Sequence, residues 1–452
     1  MNIILAGGGK VGLTLARQLA AEGHDLTLID RNSQVLSTAV ERYDAIGISG
    51  NCVSKEVLLQ AGVQSADLLI ASAGADEVNL LCCLTAHGIN PNIHTIARIR
   101  NPEYADQVMT MRDVFHLSMA INPEKLAAVE IERLIKYPGF LRRDTFAKGR
   151  AVIVELRIDS KSKLCDAALF DLPSIVNCKV LVCSVLRAGD AIIPKGNFIL
   201  REGDRIFVTA PTAHLTTLLK NLGIITRKVR DVILCGGGRV SYYLAKLLEK
   251  DKISVQILER DHDRCVELAS MLPEASIIHG DCSNQSTLED QGIEDCDALV
   301  TLTGLDETNM VISLYAHSRG VGQTITKLSR SENSSIADSI ALGSLIYPKE
   351  LCCNHIVRYV RAMENQTGAA VSVHAIADGL AEAVEFRVGE STKNCGVPLK
   401  QMKLQPNVLI AGIIHGTTTE IPNGESVFQP GDSIVVVSGE RGVLNQLNDI
   451  FA

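Results

Sequence analysis

Gly7, Gly9 and Gly12 form a G-x-G-x-x-G loop after the apolar run Ile3-Ile4-Leu5, and Asp30 closes the next apolar run, Leu26-Thr27-Leu28-Ile29. Glycines and an acid at this spacing suit a pyrophosphate and a ribose. Gly7 permits a tight turn, Gly9 lets phosphate oxygens approach the backbone, and Gly12 lets a helix pack closely on a strand. The intervening Gly8, Lys10 and Val11 complete the loop and open a helix. Its free N–H groups and positive dipole end would face the phosphates. Asp30 would accept hydrogen bonds from the ribose 2′- and 3′-hydroxyls and repel a 2′-phosphate, which favours NAD(H) over NADP(H). The constellation recurs 229 residues on, as Gly236-Gly237-Gly238-Arg239-Val240-Ser241 with Glu259. Serine at the third glycine position predicts a slightly wider gap between helix and strand, and Glu259 offers the same charge on a longer arm.

The elements that must position these loops are legible as well. Ile3–Leu5, Leu26–Ile29, Ala45–Ile48, Leu68–Ile70 and His94–Ala97 read as strands, and Val11, Leu15 and Leu19 share one helix face. Alternation of buried strands with helices predicts a parallel, doubly wound sheet whose ligand crevice lies at the strand C-terminal ends. Further residues at those ends match between the halves. Asn51, followed by Cys52, matches Asp281; Ala73-Gly74 matches Thr303-Gly304; Asp76-Glu77 with Asn79 matches Asp306-Glu307 with Asn309; Arg98 matches Lys327. A cation there can pair with phosphate, and arginine can do so with two parallel bonds.

Pro123 and Pro348 each open a further helix. Beyond the first of them, Val152–Ile158, Leu181–Leu186 and Arg205–Val208 read as strands, with turns at Gly189-Asp190 and Gly203-Asp204. Thr212 reads as the cap of a last helix, Gly223 as its stop, and Thr226–Asp231 as a polar linker. Ile193-Pro194-Lys195-Gly196 with Gly203-Asp204 recurs as Ile421-Pro422-Asn423-Gly424 with Gly431-Asp432. The 452-residue chain is therefore a tandem duplication. The expected fold class is α/β: two doubly wound, Rossmann-type domains, each followed by a small α+β domain. The expected boundaries are 1–121, then a crossover helix and linker at 122–148, a small domain at 149–225, a second dinucleotide-binding domain at 229–346, its crossover helix at 347–369, and the last small domain at 370–452.

Composition narrows the function. A net charge of −8 without a basic block argues against a nucleic-acid partner and against direct binding to an anionic lipid surface. No apolar run approaches the roughly 20 residues that span a bilayer, and Met1-Asn2 leads straight into the first strand, so no leader is expected. The thirteen cysteines include no C-x-x-C pair and read as small buried residues, with zinc disfavoured. An NAD-dependent oxidoreductase is the rival reading. It would need an acid or base beside the nicotinamide. Tyr242 and Lys246 have a Tyr-x-x-x-Lys spacing but sit just after the second glycine loop, where the helix is committed to phosphate binding and sheet packing. Binding without catalysis is the expectation.

The combined pattern resembles the regulator of potassium conductance modules, also called KTN, repeated in tandem. Gly7–Gly12, Asp30, Ala97-Arg98-Ile99-Arg100 with Asn101-Pro102-Glu103-Tyr104, and Asn122-Pro123-Glu124 carry the resemblance, with the two Ile-Pro-x-Gly…Gly-Asp modules similar to the family's C-terminal domains. Many members have Gly-Asp where this chain has Gly50-Asn51. The resemblance implies a cytoplasmic, peripheral regulatory subunit at the inner face of the cell membrane. It would respond to NAD(H), ATP or ADP, assemble as a homodimer or homotetramer ring, and gate a potassium-translocating Trk-type membrane subunit, touching the membrane only through that partner.

Overall fold

The computed structural model describes residues 1–137, 140–160, 162–222, 229–330, 340, 342–364, 370–439, 444 and 446–452. The chain divides into two compact units. One holds Met1–Glu132, Asp231–Leu342 and Ile346–Val357; the other holds Arg133–Arg230, Gly343–Leu345 and Arg358–Ala452.

The first unit contains two lobes of one design. In the first lobe, β1 (Asn2–Ala6), β2 (Asp25–Asp30), β3 (Ile46–Ser49), β4 (Leu68–Ala71), β5 (His94–Arg98) and β6 (Met119–Ile121) form a parallel sheet in the order β3-β2-β1-β4-β5-β6. Helices α1 (Lys10–Ala21), α2 (Ser33–Tyr43), α3 (Lys55–Gln60), α4 (Asp76–Ile89) and α5 (Pro102–Thr110) connect the strands. The apolar residues expected of a sheet covered on both faces are buried: Ile3, Ile4, Leu5, Leu28, Ile29, Leu68 and Leu69. Strand order reverses between β1 and β4, which opens a crevice at their C-terminal ends. β6 is a sixth strand that the sequence pattern did not reveal; three residues are too few to show a period. The crossover helix α6 (Pro123–Lys136) follows it.

The second lobe repeats the plan with β12 (Asp231–Cys235), β13 (Ser254–Glu259), β14 (Ser276–His279), β15 (Ala298–Thr301), β16 (Gln323–Lys327) and β17 (Ser344–Ile346), in the order β14-β13-β12-β15-β16-β17. Its first helix is α9 (Arg239–Lys250), and α12 (Asp306–Ser318) and the crossover helix α13 (Pro348–Glu364) follow. Reciprocal contacts join the two lobes. Asn122 donates from Nδ2 to the Tyr243 hydroxyl at 2.9 Å, and that hydroxyl donates to the Arg100 carbonyl at 3.3 Å. From α13, Cys353 reaches the Val11 carbonyl at 3.8 Å, and Asn354 accepts from Gln18 at 3.2 Å.

The second unit contains two five-stranded antiparallel sheets. The first has the order β10-β9-β11-β8-β7, from β7 (Arg142–Phe146), β8 (Ala151–Arg157), β9 (Leu181–Arg187), β10 (Asp190–Ile192) and β11 (Arg205–Pro211). The second has the order β18-β19-β22-β20-β21, from β18 (Ala370–Ile376), β19 (Ala381–Arg387), β20 (Val408–His415), β21 (Thr418–Glu420) and β22 (Ser433–Ser438). Two sequence readings change here. Residues 142–146, read as part of a linker, pair antiparallel with β8; the run Arg-Arg-Asp-Thr lacks the apolar alternation that marks a strand. Thr212 does not cap the last helix. Its hydroxyl donates to the Gly149 carbonyl at 2.8 Å, and a short 3-10 turn at Thr212–His214 precedes α8 (Leu215–Asn221). Gly223 and half of the linker reading, 226–228, lie outside the described residues, and Asp231, read as its last residue, already belongs to β12.

One side chain in each lobe ties the ends of two strands together. Asn79, fully buried, accepts from the Ala73 amide at 2.7 Å and donates to the Arg98 carbonyl at 2.8 Å. Asn309 accepts from the Thr303 amide at 3.0 Å and donates to the Lys327 carbonyl at 2.9 Å. Replacing Asn79 by alanine leaves a buried donor and acceptor without partners, a cost of roughly 2–4 kcal/mol. Urea unfolding of Asn79→Ala should show this as an earlier transition for the first lobe; an unchanged midpoint would mean that the clip contributes nothing.

Candidate functional site

The loop Gly7–Gly12 joins β1 to α1 at the sheet's reversal point. Gly7 has φ +106°, in the region glycine favours. A Cβ on Gly12 would lie 2.0 Å from the Gly7 carbonyl oxygen, so only glycine allows the close approach at that position. The loop is held shut by Asp30, whose Oδ2 accepts from the Gly8 amide at 2.6 Å and whose Oδ1 accepts from the Asn32 amide at 2.8 Å. Glu259 repeats this in the second lobe, accepting from Gly237 at 2.6 Å and from Asp261 at 2.8 Å. Each carboxylate oxygen keeps a second lone pair for a ribose hydroxyl.

The two helices that follow begin without side-chain caps, at Gly9 and Gly238. By contrast α2 and α5 are capped by Asn32 and Asn101. The first helical residues of the uncapped pair are Lys10 and Arg239, and neither first turn carries an acid. A cation at that place opposes the helix dipole. Free amides together with a cation form the arrangement that an anionic ligand relieves.

The third loop position differs between the lobes in an informative way. The buried carbonyl of Gly7 accepts from the Ser72 hydroxyl at 3.0 Å, a donor just past the end of β4. The position matching Ser72 in the second lobe is Leu302, which has no donor. There the Gly236 carbonyl accepts instead from the hydroxyl of Ser241, on the helix. The turn glycines sit slightly differently against the neighbouring strand end: a Cβ on Gly7 would lie 2.8 Å from the Ala73 amide nitrogen, and one on Gly236 would lie 3.1 Å from that of Thr303. Ser241 thus supplies the bond that its own presence would otherwise displace.

The remaining sequence candidates fall at the strand ends, several with local partners. Asn51 accepts weakly from the Val53 amide at 3.4 Å, and Asp281 accepts from Ser283 at 2.8 Å. The Ser283 bonds hold the Asp281 carboxyl below its ordinary range. Cys52 is buried beside Cys82, which approaches its carbonyl at 3.1 Å. Thr303 bonds to Asn309 at 2.7 Å. Asp76 and Asp306 bind backbone rather than ligand: Asp76 accepts from the Arg100 and Asn101 amides, and Asp306 from Ser329 and Arg330.

Arg98 and Lys327 are turned further inward than expected. Arg98 donates to the Ala73 carbonyl at 2.7 Å, and Lys327 to the Leu302 carbonyl at 3.0 Å. Burial lowers the pKa of both, and the Glu124 carboxylate opposes that shift in each case. Glu124 lies in the first turn of α6, so an acid of the crossover helix acts on the strand-end cations of both lobes, together with Asp306 at Lys327. The sequence showed Glu124 only as part of a family-like motif, not as their shared counter-charge. At the mouth of the first crevice a cavity of about 140 Å³ is lined by Gly74, Asp76, Glu77, Arg100 and Tyr104, and by Arg239 from the second lobe. The sequence places Arg239 with the second loop alone; the fold also shows it to the first crevice. Tyr242 is buried, and the Lys246 ammonium sits 4.7 Å from the centre of its ring, so the Tyr-x-x-x-Lys spacing serves packing.

The TrkA-N domain family matches residues 3–122 and 232–348, and the TrkA-C domain family matches residues 153–223 and 383–452. The chain is 30% identical to the Trk system potassium uptake protein TrkA of Haemophilus influenzae, over 100% of this chain and 98% of that protein. It is also 30% identical to the TrkA homolog 1 of Methanosarcina mazei, over 97% of each. Among solved structures it is similar to the GsuK channel, with a TM-score of 0.63 at 15% identity, covering 97% of this chain and 76% of the channel. It is similar too to the GsuK channel bound to NAD, at 0.62 and 15%, with the same coverage. A GsuK structure bound to ADP covers 80% of this chain and 69% of that one, at 0.52 and 14%.

The exchange of donors yields a test. Ser241→Gly should destabilise the second lobe by about 1–3 kcal/mol through an unpaired buried carbonyl. Adding Leu302→Ser should recover most of that loss, whereas Gly12→Ser should disrupt the first loop outright. Denaturant titration of the three variants would decide it; no recovery in Ser241→Gly/Leu302→Ser would refute the compensation.

Proposed function

We propose, from the premise that this chain belongs to the tandem TrkA-N and TrkA-C family of Trk system potassium uptake proteins, that it is the nucleotide-responsive regulatory subunit of such a system. NAD(H) or an adenine nucleotide occupies the crevices, with its phosphates on the loops Gly7–Gly12 and Gly236–Ser241 and its ribose on Asp30 or Glu259. Asn51 with Cys52, Asp281, Ala73-Gly74 and Thr303 line the floor. The GsuK structures bound to NAD and to ADP support this ligand class. The uncapped helix starts with a lysine or arginine at the first turn support binding of an anion.

The observation that carries a regulatory reading is the place of Arg98. It donates to the Ala73 carbonyl at the crevice, and the Glu124 carboxylate of the crossover helix is near enough to raise its pKa against burial. A phosphate in the crevice competes with Glu124 for that guanidinium, so occupancy changes the grip of α6 on the lobe. Only such differential interaction lets a ligand shift an equilibrium. Helices α6 and α13 begin in the first unit and end in the second, so the chain itself carries the change to the small domains. The output is a potassium-translocating membrane subunit, with this protein on its cytoplasmic side as a dimer or tetramer ring. Among the described residues no helix is long and apolar enough to cross a membrane, so membrane contact is assigned to the partner. The role is binding rather than catalysis: Tyr242 and Lys246, the acid–base pair an oxidoreductase reading would use, are engaged with each other.

Two outcomes are expected. Calorimetric titration should give weaker binding of NADPH than of NADH, and Asp30→Ala should narrow the gap; equal affinities in the unaltered protein would sink the ribose assignment. Arg98→Ala should weaken nucleotide binding by about ten- to a hundredfold, the loss of one charge-assisted bond. It should also abolish most nucleotide-dependent potassium flux when the membrane subunit is reconstituted in liposomes. Lys327→Ala should leave much of both, since an ammonium is a single point charge. The reverse ranking would show that the second lobe dominates.

A further inference from the structure

The two small domains of the second unit meet through equivalent surfaces. Strand β7 pairs with β8 so that Asp144 lies opposite Ile153 and Phe146 opposite Ala151. Strand β18 pairs with β19 so that His374 lies opposite Ala383 and Ile376 opposite Ala381. Asp144 and His374 therefore occupy the same place in the two copies, and they touch: the Asp144 carboxylate and His374 Nδ1 are 2.9 Å apart. Equivalent residues touch when they lie on the local two-fold relating the copies. Had the copies stayed identical, this pair would be two carboxylates or two imidazoles.

The pair is buried and fully engaged. Arg142 meets Asp144 with Nε at 3.0 Å, and Arg358 approaches His374 Nε2 at 2.8 Å. A guanidinium only donates, so Nε2 accepts and Nδ1 donates to the carboxylate. Burial alone would raise the Asp144 pKa, but Arg142 and His374 outweigh it and bring it down to about 2.

The apolar part of the shared core is unequal in the same sense. The first copy contributes Phe146, Ile153, Cys183 and Phe207; the second contributes Ile376, Ala383, Ala411 and Val435 at the matching positions. At these four positions the first domain has the larger side chain, while Leu186 and Ile414, Ala147 and Ala377, and Ala151 and Ala381 are matched in size.

We propose that this face is a heterotypic lock, which fits a first small domain only to a second one and rejects a copy of itself. Two first domains would set Asp144 against Asp144 and crowd Phe146, Ile153 and Phe207. Two second domains would set His374 against His374 between two arginines and leave voids beside Ala383. Overpacking, cavities and like pairs are each destabilising. Self-association of whole chains must then use other faces, or exchange a first domain for a second between chains.

The test uses the full-length protein and thermal melting at pH 7. Asp144→His and His374→Asp should each lower the midpoint by on the order of 5 °C, and the exchange Asp144→His/His374→Asp should recover at least half of the larger loss. Arg142 and Arg358 stay beside positions 144 and 374 in all three variants, so the comparison reads the pairing itself. A double exchange no better than the worse single variant would overturn the proposal. If His374→Asp does not accumulate as folded protein, size exchange decides the same question: Ala383→Ile alone must destabilise, and Ile153→Ala/Ala383→Ile must recover, or the lock is refuted.

Discussion

Within each unit the governing constraint is that a fold is packed against its own near copy. Every contact on such a surface is made twice unless the sequences differ, and residues on the local two-fold meet their own equivalents. The pairing of Asp144 with His374 is the clearest consequence, because a buried pair of like groups there would cost several times what a donor–acceptor pair contributes. The lobes of the first unit solve the same problem differently. Their joining contacts lie away from equivalent positions, with Asn122 on Tyr243 and Cys353 on the Val11 carbonyl.

Much of this was legible in the sequence because it depends on short-range periodicity. Strands β1 to β5 are buried on both faces and read as apolar runs; the glycine loops and their acids follow at fixed distances. Strand β6 was missed because three residues show no period, and β7 because Arg142, Arg143 and Asp144 look like a linker. Asp144 meets His374, 230 residues away, at the lock, which is a long-range fact. The inward turn of Arg98 and Lys327 was invisible for the same reason. A cation at a strand end is a sequence property, while the carbonyl and the Glu124 carboxylate that claim it come from other elements.

The role of the Asp-Glu-x-Asn segment was also only half readable. Its recurrence in both lobes marked it, and its place at the strand ends suggested ligand contact. The fold instead uses Asp76 and Asn79 to bind the backbone that follows β4 and β5. A crevice made of loop ends needs such clips, since backbone groups there have no strand partner and unpaired ones are costly when buried. These residues therefore shape the site from behind.

The two glycine loops show how far a copy can drift without losing its geometry. A side chain at the position of Gly12 strikes the carbonyl of Gly7 unless the helix stands off, and standing off removes the tight packing that a third glycine gives. The second lobe has a serine there, whose hydroxyl binds the very carbonyl that a Cβ at Gly12 would strike in the first. That bond frees the strand-end position, so Leu302 can be apolar where Ser72 had to donate. The donor has changed, while the closed carboxylate–amide contact, Asp30 to Gly8 or Glu259 to Gly237, is the same at 2.6 Å in both lobes. The carboxylate contact sets the loop, and the third position decides which hydroxyl satisfies the turn carbonyl: Ser72 from the neighbouring strand end where a glycine leaves the helix bare, or Ser241 from the helix itself.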